Sequence, residues 1–269
     1  MAIKDITLGQ YFPGESAVHS LDPRTKLIGT VIFIASLFVV DSFGGFAVCA
    51  LCLLAVVKLS GVPLRFLMRG LRAVLILIIF TAAINLFMTP GVEVWRLGFI
   101  KVTEEGIYRS AFMAIRLVLL ILGSSMLTLT TKPVTLTDGL ERLFRPFGKL
   151  GLPAHELAMM MTIALRFIPT LLDETDRIMK AQMARGADFE SGNLRERARG
   201  LIPLLVPLFV SAFRIAADLA MAMEARCYRG GEGRTRMNAV EFGKGDYAAF
   251  ALCAMMLAFA ILSRKLNWF

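Results

Sequence analysis

A chain of 269 residues that is 57% hydrophobic and 19% charged, with a mean hydropathy of +0.66, carries more apolar surface than a water-soluble domain can bury. Its formal charge of +9 suits loops beside anionic lipid, and no aromatic-and-basic motif speaks for nucleic acid. A metal site is not expected, because Cys49 and Cys52 lie within an apolar run without a second ligand pair, and His19 and His155 read as local polar residues.

In chain order, nothing apolar enough for a secretory leader occurs in the first 26 residues. The approach Leu21-Asp22-Pro23-Arg24-Thr25-Lys26 predicts an N-cap at Asp22 with Pro23 at the first helical position. Helices are expected over Leu27 to Val40 and Phe46 to about Leu59, joined by a turn without Lys or Arg. The basic loop from Lys58 to Arg72 then belongs inside, together with the amino terminus. A third helix spans Ala73 to Met88, with Asn85 expected to bond a neighbouring helix, and Thr89-Pro90-Gly91 breaks it. Residues 94 to 100 fit a short strand or a surface segment equally. The fourth helix, from about Glu105 to Leu129, holds Arg116, whose charge must face protein or snorkel to the interface. A functional and a structural role are both open to it.

After Lys132-Pro133 the pattern changes. Thr137 to Phe147 is short, basic and aromatic, suited to an interface. The long helix from His155 contains Pro169 and the charged set Asp173, Glu174, Asp176, Arg177 and Lys180, which argues against spanning, with Asp173 to Arg177 and Asp176 to Lys180 as expected pairs. Leu201 to Phe213 is too short to span and holds Pro203 and Pro207. From the end of that run onward Ala212, Ala216 and Ala220 make a small-residue stripe on which another helix can cross, with Arg214 and Asp218 able to pair. A last apolar helix runs from about Tyr247 to Leu262 and ends in Ser263-Arg264-Lys265. With five spans that basic end falls outside, against the positive-inside preference.

The two long helices finish in matching words, Ala184-Arg185-Gly186 and Ala225-Arg226-Cys227, 41 residues apart. An Arg at a helix C-terminus is held by the dipole while its fork of donors points outward, so such a tip can enter a groove and pair with a carboxylate. One such Arg is an ordinary terminal cation; two, each after a long helix, are a stronger signal.

These tips, together with Pro13-Gly14-Glu15-Ser16, His19, Leu21 to Lys26 and Arg234-Thr235, resemble the transmembrane T component of energy-coupling factor transporters. The amino-terminal pattern is similar to that of the shared-module type, which serves several vitamin-binding partners. The resemblance implies an all-α integral membrane protein with about five transmembrane helices, a short interfacial helix and two long cytoplasmic coupling helices. Its parts would be transmembrane helices over 1–131, a coupling module over 132–236 and a last transmembrane helix over 237–269. It further implies a non-catalytic, multi-pass subunit of a prokaryotic cell membrane, without cofactor, whose partners are two cytoplasmic ABC-type ATPases and a small membrane substrate-binding subunit. Ala184, Arg185, Gly186, Ala225, Arg226 and Cys227 would dock the ATPases, and Arg234 and Arg236 would touch a cytoplasmic partner.

The residues agree on the division of labour. No G-x-x-x-x-G-K-[ST] occurs, since Gly148-Lys149 and Gly243-Lys244 have Leu143 and Asn238 where the first Gly is needed. A membrane enzyme would need a denser polar cluster at membrane depth. The competing reading is a conventional ABC-type permease that forms its own substrate pathway.

Overall fold

The computed structural model describes residues 11–97, 100–146, 153–187, 189, 200–230 and 242–265. Its helices are α1 (Pro23–Val39), α2 (Phe43–Ser60), α3 (Leu64–Met88), α4 (Glu104–Thr130), α5 (Pro133–Phe144), α6 (Ala154–Ala184), α7 (Ile202–Ala225) and α8 (Lys244–Lys265). Between α3 and α4 the strands β1 (Glu93–Leu97) and β2 (Ile100–Thr103) form an antiparallel hairpin, which decides for a strand where the sequence left two readings. The chain is an all-α integral membrane protein apart from this hairpin. It divides into two compact units, Gly9–Gly139 with Ala239–Phe269, and Met1–Leu8 with Leu140–Asn238. Residues 234 and 236 lie outside the described residues.

In the first unit, local chemistry starts each helix. Asp22 Oδ1 accepts from the Arg24 backbone N–H at 2.8 Å with Pro23 following, as expected, while Ser42 and Thr103 accept from Gly45 and Gly106 to cap α2 and α4. The core lies where α1, α2, α4 and α8 meet, around Leu37, Val40, Phe46, Cys49, Leu129 and Ala260. Gly123 makes that approach possible, since a Cβ there would overlap the Phe33 ring. Against α4 packs α3, which starts nine residues earlier than the composition suggested. Gly61, at φ 67°, ends α2, Pro63 opens α3, and the arginines that read as loop occupy its first turns. Arg is a good helix former, and the buried Leu67 holds that extension. Asn85 donates to Thr81 O of its own helix at 2.8 Å instead of bridging to a neighbour.

Arg116 takes the structural reading. Its Nη2 donates to Val40 O at 3.0 Å, capping the C-terminus of α1, and it stands over the Phe112 ring at 5.0 Å and 4.0 Å from Asp41. The other oxygen of Asp41 meets Arg264 Nε at 3.3 Å, near the end of α8.

Among the described residues six helices, α2, α3, α4, α6, α7 and α8, are long and apolar enough to cross a membrane. α1 has 17 residues. α6 and α7 reach that length because their apolar stretches are longer than a charge-free count suggests: the charges of α6 crowd into its second half, and α7 continues unbroken from Ile202 to Ala225. Pro203 stands in the first turn of α7, where a missing N–H costs nothing, and Pro207 gives up a single bond, toward residue 203.

Candidate coupling tips

Within the second unit, two contacts fix the mutual direction of α6 and α7. Ser211 Oγ donates to Glu174 Oε1 at 3.3 Å, and Tyr228 Oη donates to Met159 Sδ at 2.9 Å. Moving back along α6 from Glu174 to Met159 therefore moves forward along α7 from Ser211 to Tyr228, so the helices are antiparallel. Arg185 lies beyond the first contact in one direction and Arg226 in the other. At 1.5 Å per residue, the tips stand about 40 Å apart along the pair.

The tips share one geometry. At the first, Ala187 N–H bonds Gln182 O and Gly186 N–H bonds Met183 O, both at 3.0 Å. At the second, Tyr228 N–H bonds Met223 O at 3.1 Å and Cys227 N–H bonds Glu224 O at 2.8 Å. This is the same Schellman closure twice, and it requires a left-handed residue just after the Arg. Gly186 has φ 88° and Cys227 has φ 55°, which makes Cys227 the only positive-φ residue other than Gly among those described. Ala184, Arg185, Gly186, Ala225, Arg226 and Cys227 are all exposed. Neither guanidinium has a partner among the described residues. Each tip is thus a rigid turn that presents an unpaired fork of donors.

Of the alanine stripe, Ala212 is half-buried beside Ser211, and Ala216 and Ala220 are exposed. α7 turns Leu204, Leu208, Ile215, Leu219 and Met223 inward instead. Arg177 stands 3.9 Å from Glu174, three residues before it; the expected partner was Asp173.

Sequence reasoning missed the set that braces the second tip. Tyr228 Oη also lies 3.4 Å from His155 Nε2, and the opposite ring nitrogen, Nδ1, lies 3.1 Å from Glu141 Oε1. The C-terminal end of α5, the start of α6 and the turn after Arg226 are joined through one imidazole. Asp246 was missed as well. Its Oδ1 accepts from Asp22 N–H and its Oδ2 from Gly243 N–H, both at 2.9 Å, tying the start of α8 to the start of α1. A Tyr two residues past an Arg tip is a signal visible in the sequence; a pairing across 224 residues is not.

Residues 14–237 match the family model described as "Cobalt transport protein". The chain is 57% identical to the energy-coupling factor transporter transmembrane protein EcfT of Thermosediminibacter oceani, over 97% of this chain and 99% of that protein. It belongs to the EcfT family. The EcfT proteins of Clostridium kluyveri and Bacillus subtilis are 55% and 52% identical, over 97% and 85% of this chain and 98% and 87% of theirs. As an EcfT family member the chain is the transmembrane component of an energy-coupling factor transporter, a multi-pass membrane protein and a transporter subunit. The resemblance read from the tips and the amino-terminal segment thus named the right family.

Proposed function

We propose that this EcfT chain transmits ATP-driven movement from two cytoplasmic ABC-type ATPases to a small membrane subunit that binds a vitamin or similar micronutrient. Arg185 and Arg226 each enter a groove on one ATPase, with hydrolysis confined to those partners. The reading places 132–236 on the cytoplasmic side as the coupling module, between 1–131 and 237–269 in the cell membrane. The observation that carries it is the duplicated tip: the same closure and the same unpaired Arg at opposite ends of an antiparallel helix pair. That arrangement suits two motors side by side and has no evident use in a permease with a single coupling segment. The strip Ala212, Ala216 and Ala220, exposed at its last two residues, would serve a close crossing by a helix of the membrane subunit.

The test is co-expression of the chain with its candidate ATPases and substrate-binding subunit. Wild type should purify as a four-protein complex. Arg185→Glu combined with Arg226→Glu should lose the ATPases, because a carboxylate facing a carboxylate repels, while the membrane subunit stays bound. Each single variant should release one ATPase position more readily than the other. ATPases retained by the double variant, or transport by this chain alone, would overturn the proposal.

A further inference from the structure

Arg65, Arg69 and Arg72 stand four and three residues apart on α3, so they share one face, and all three are exposed. The opposite face, with Leu67 and Ile78 buried, packs on α4. None of the three guanidiniums meets a carboxylate among the described residues; Arg69 only covers the Phe66 ring at 5.5 Å. The first turn of α3 contains no acid, and the charge of Arg65 there opposes the helix dipole, so the helix itself gives no reason for a cluster of positive charge at this end. Farther along, the same face becomes apolar. Ile76 is 80% exposed, Ile79 59% and Phe80 61%. Ile76 begins about 6 Å past Arg72. Lys58 is exposed near the end of α2, across the short turn that leads into α3.

We infer that this face binds an anionic phospholipid. The phosphate lies against Arg69 and Arg72, with Arg65 and Lys58 adding charge, and one acyl chain runs along Ile76, Ile79 and Phe80. Three features select this occupant. The charge calls for an anion, the change from basic to apolar occurs within one helical turn as it does at the glycerol backbone of a lipid, and a water-soluble acidic partner would leave the apolar half uncovered. Arg is suited to phosphate because its fork can form two parallel bonds. The inference does not depend on how the ATPases dock.

The experiment uses full-length protein in neutral detergent, with dioleoyl-phosphatidylglycerol or dioleoyl-phosphatidylcholine added. Thermal unfolding and native mass spectrometry are the readouts. Phosphatidylglycerol should raise the melting temperature and remain bound, and phosphatidylcholine should do neither to the same extent. Arg65→Gln/Arg69→Gln/Arg72→Gln should cut retained phosphatidylglycerol by at least about tenfold, given roughly a fivefold gain per basic residue near an anionic surface. Arg177→Gln/Lys180→Gln/Arg214→Gln removes the same number of charges elsewhere and should retain the lipid. Arg69→Lys/Arg72→Lys, which keeps the charge and is the safer variant for folding, should retain an intermediate amount. Equal retention by wild type and the α3 triple variant overturns the inference. So does equal retention of the two lipids, as does loss of an acidic protein partner from the triple variant without any change in lipid.

Discussion

Cys227 stands where the matching tip has Gly, and at residue scale the backbone explains why Gly belongs there. A side chain in the left-handed region costs about 1–2 kcal/mol, whereas replacing it with Gly frees the unfolded chain at a cost of about 0.4–1 kcal/mol. The first term is larger, so Cys227→Gly should stabilise the protein by roughly 0.5–1 kcal/mol, and Cys227→Val, branched at Cβ, should destabilise it. Thermal unfolding followed by circular dichroism checks both signs; a lower melting temperature for the Gly variant would mean that the turn carries no left-handed strain. If Arg226 docks an ATPase as proposed, that binding should persist in Cys227→Gly, because Arg226 keeps its turn. The two words are visible in the sequence, but the reason for Gly at the third position is not. The operative property is φ, and a left-handed Cys has no signature in composition. Asn85 and Arg177 were misassigned for a related reason: spacing states which partners are within reach, and competition with nearer groups, Thr81 O and Glu174, decides between them.

Among elements, the long periodic helices were legible because apolar runs with capping residues determine them locally. The start of α3 was not, since exposed arginines look alike in a loop and in the first turns of a helix. The brace formed by α5, α6 and the second tip was hidden for a different reason, as it joins residues 141, 155 and 228. That brace predicts an asymmetry between two otherwise matching tips. Tyr228→Phe removes the hydroxyl from Met159 and His155, and His155→Phe removes the whole bridge. A net hydrogen bond of about 1 kcal/mol corresponds to about fivefold faster local opening. Hydrogen exchange across 224–230 should accelerate by that factor in either variant, and 182–187 should be unchanged. Equal exchange in variant and wild type would remove the brace as a cause of rigidity at this tip. If the brace also carries movement into α5, then under the proposed coupling role a complex with His155→Phe should retain the ATPases, which would hydrolyse ATP with a lower yield of transport.

For the whole molecule, the direction of α8 decides where the chain ends. Two contacts settle it within the membrane unit: Asp246 at the start of α8 holds the Asp22 N–H at the start of α1, and Arg264 near the end of α8 meets Asp41 just past the end of α1. α8 therefore runs parallel to α1 and finishes on the side of the α1–α2 turn. The positive-inside preference argues the other way on the count of Arg264 and Lys265, and of these Arg264 is not a free cation. Asp41 takes it up and stands 4.0 Å from Arg116 as well, so the local excess is smaller than the residue count of that segment implies. In a variant with the four native cysteines replaced by Ala, single cysteines at Gly44 and Ser263 should react with an impermeant maleimide from the same side of sealed vesicles. A cysteine at Leu59 should react only from the opposite side. Labelling of Ser263→Cys together with Leu59→Cys would mean that α8 runs against α1, and would break the link between Asp22 and Asp246 that joins the two ends of the membrane unit. Asp41→Asn sharpens the test, because it leaves Arg264 unpaired and should lower the fraction of chains whose carboxyl end lies with Gly44.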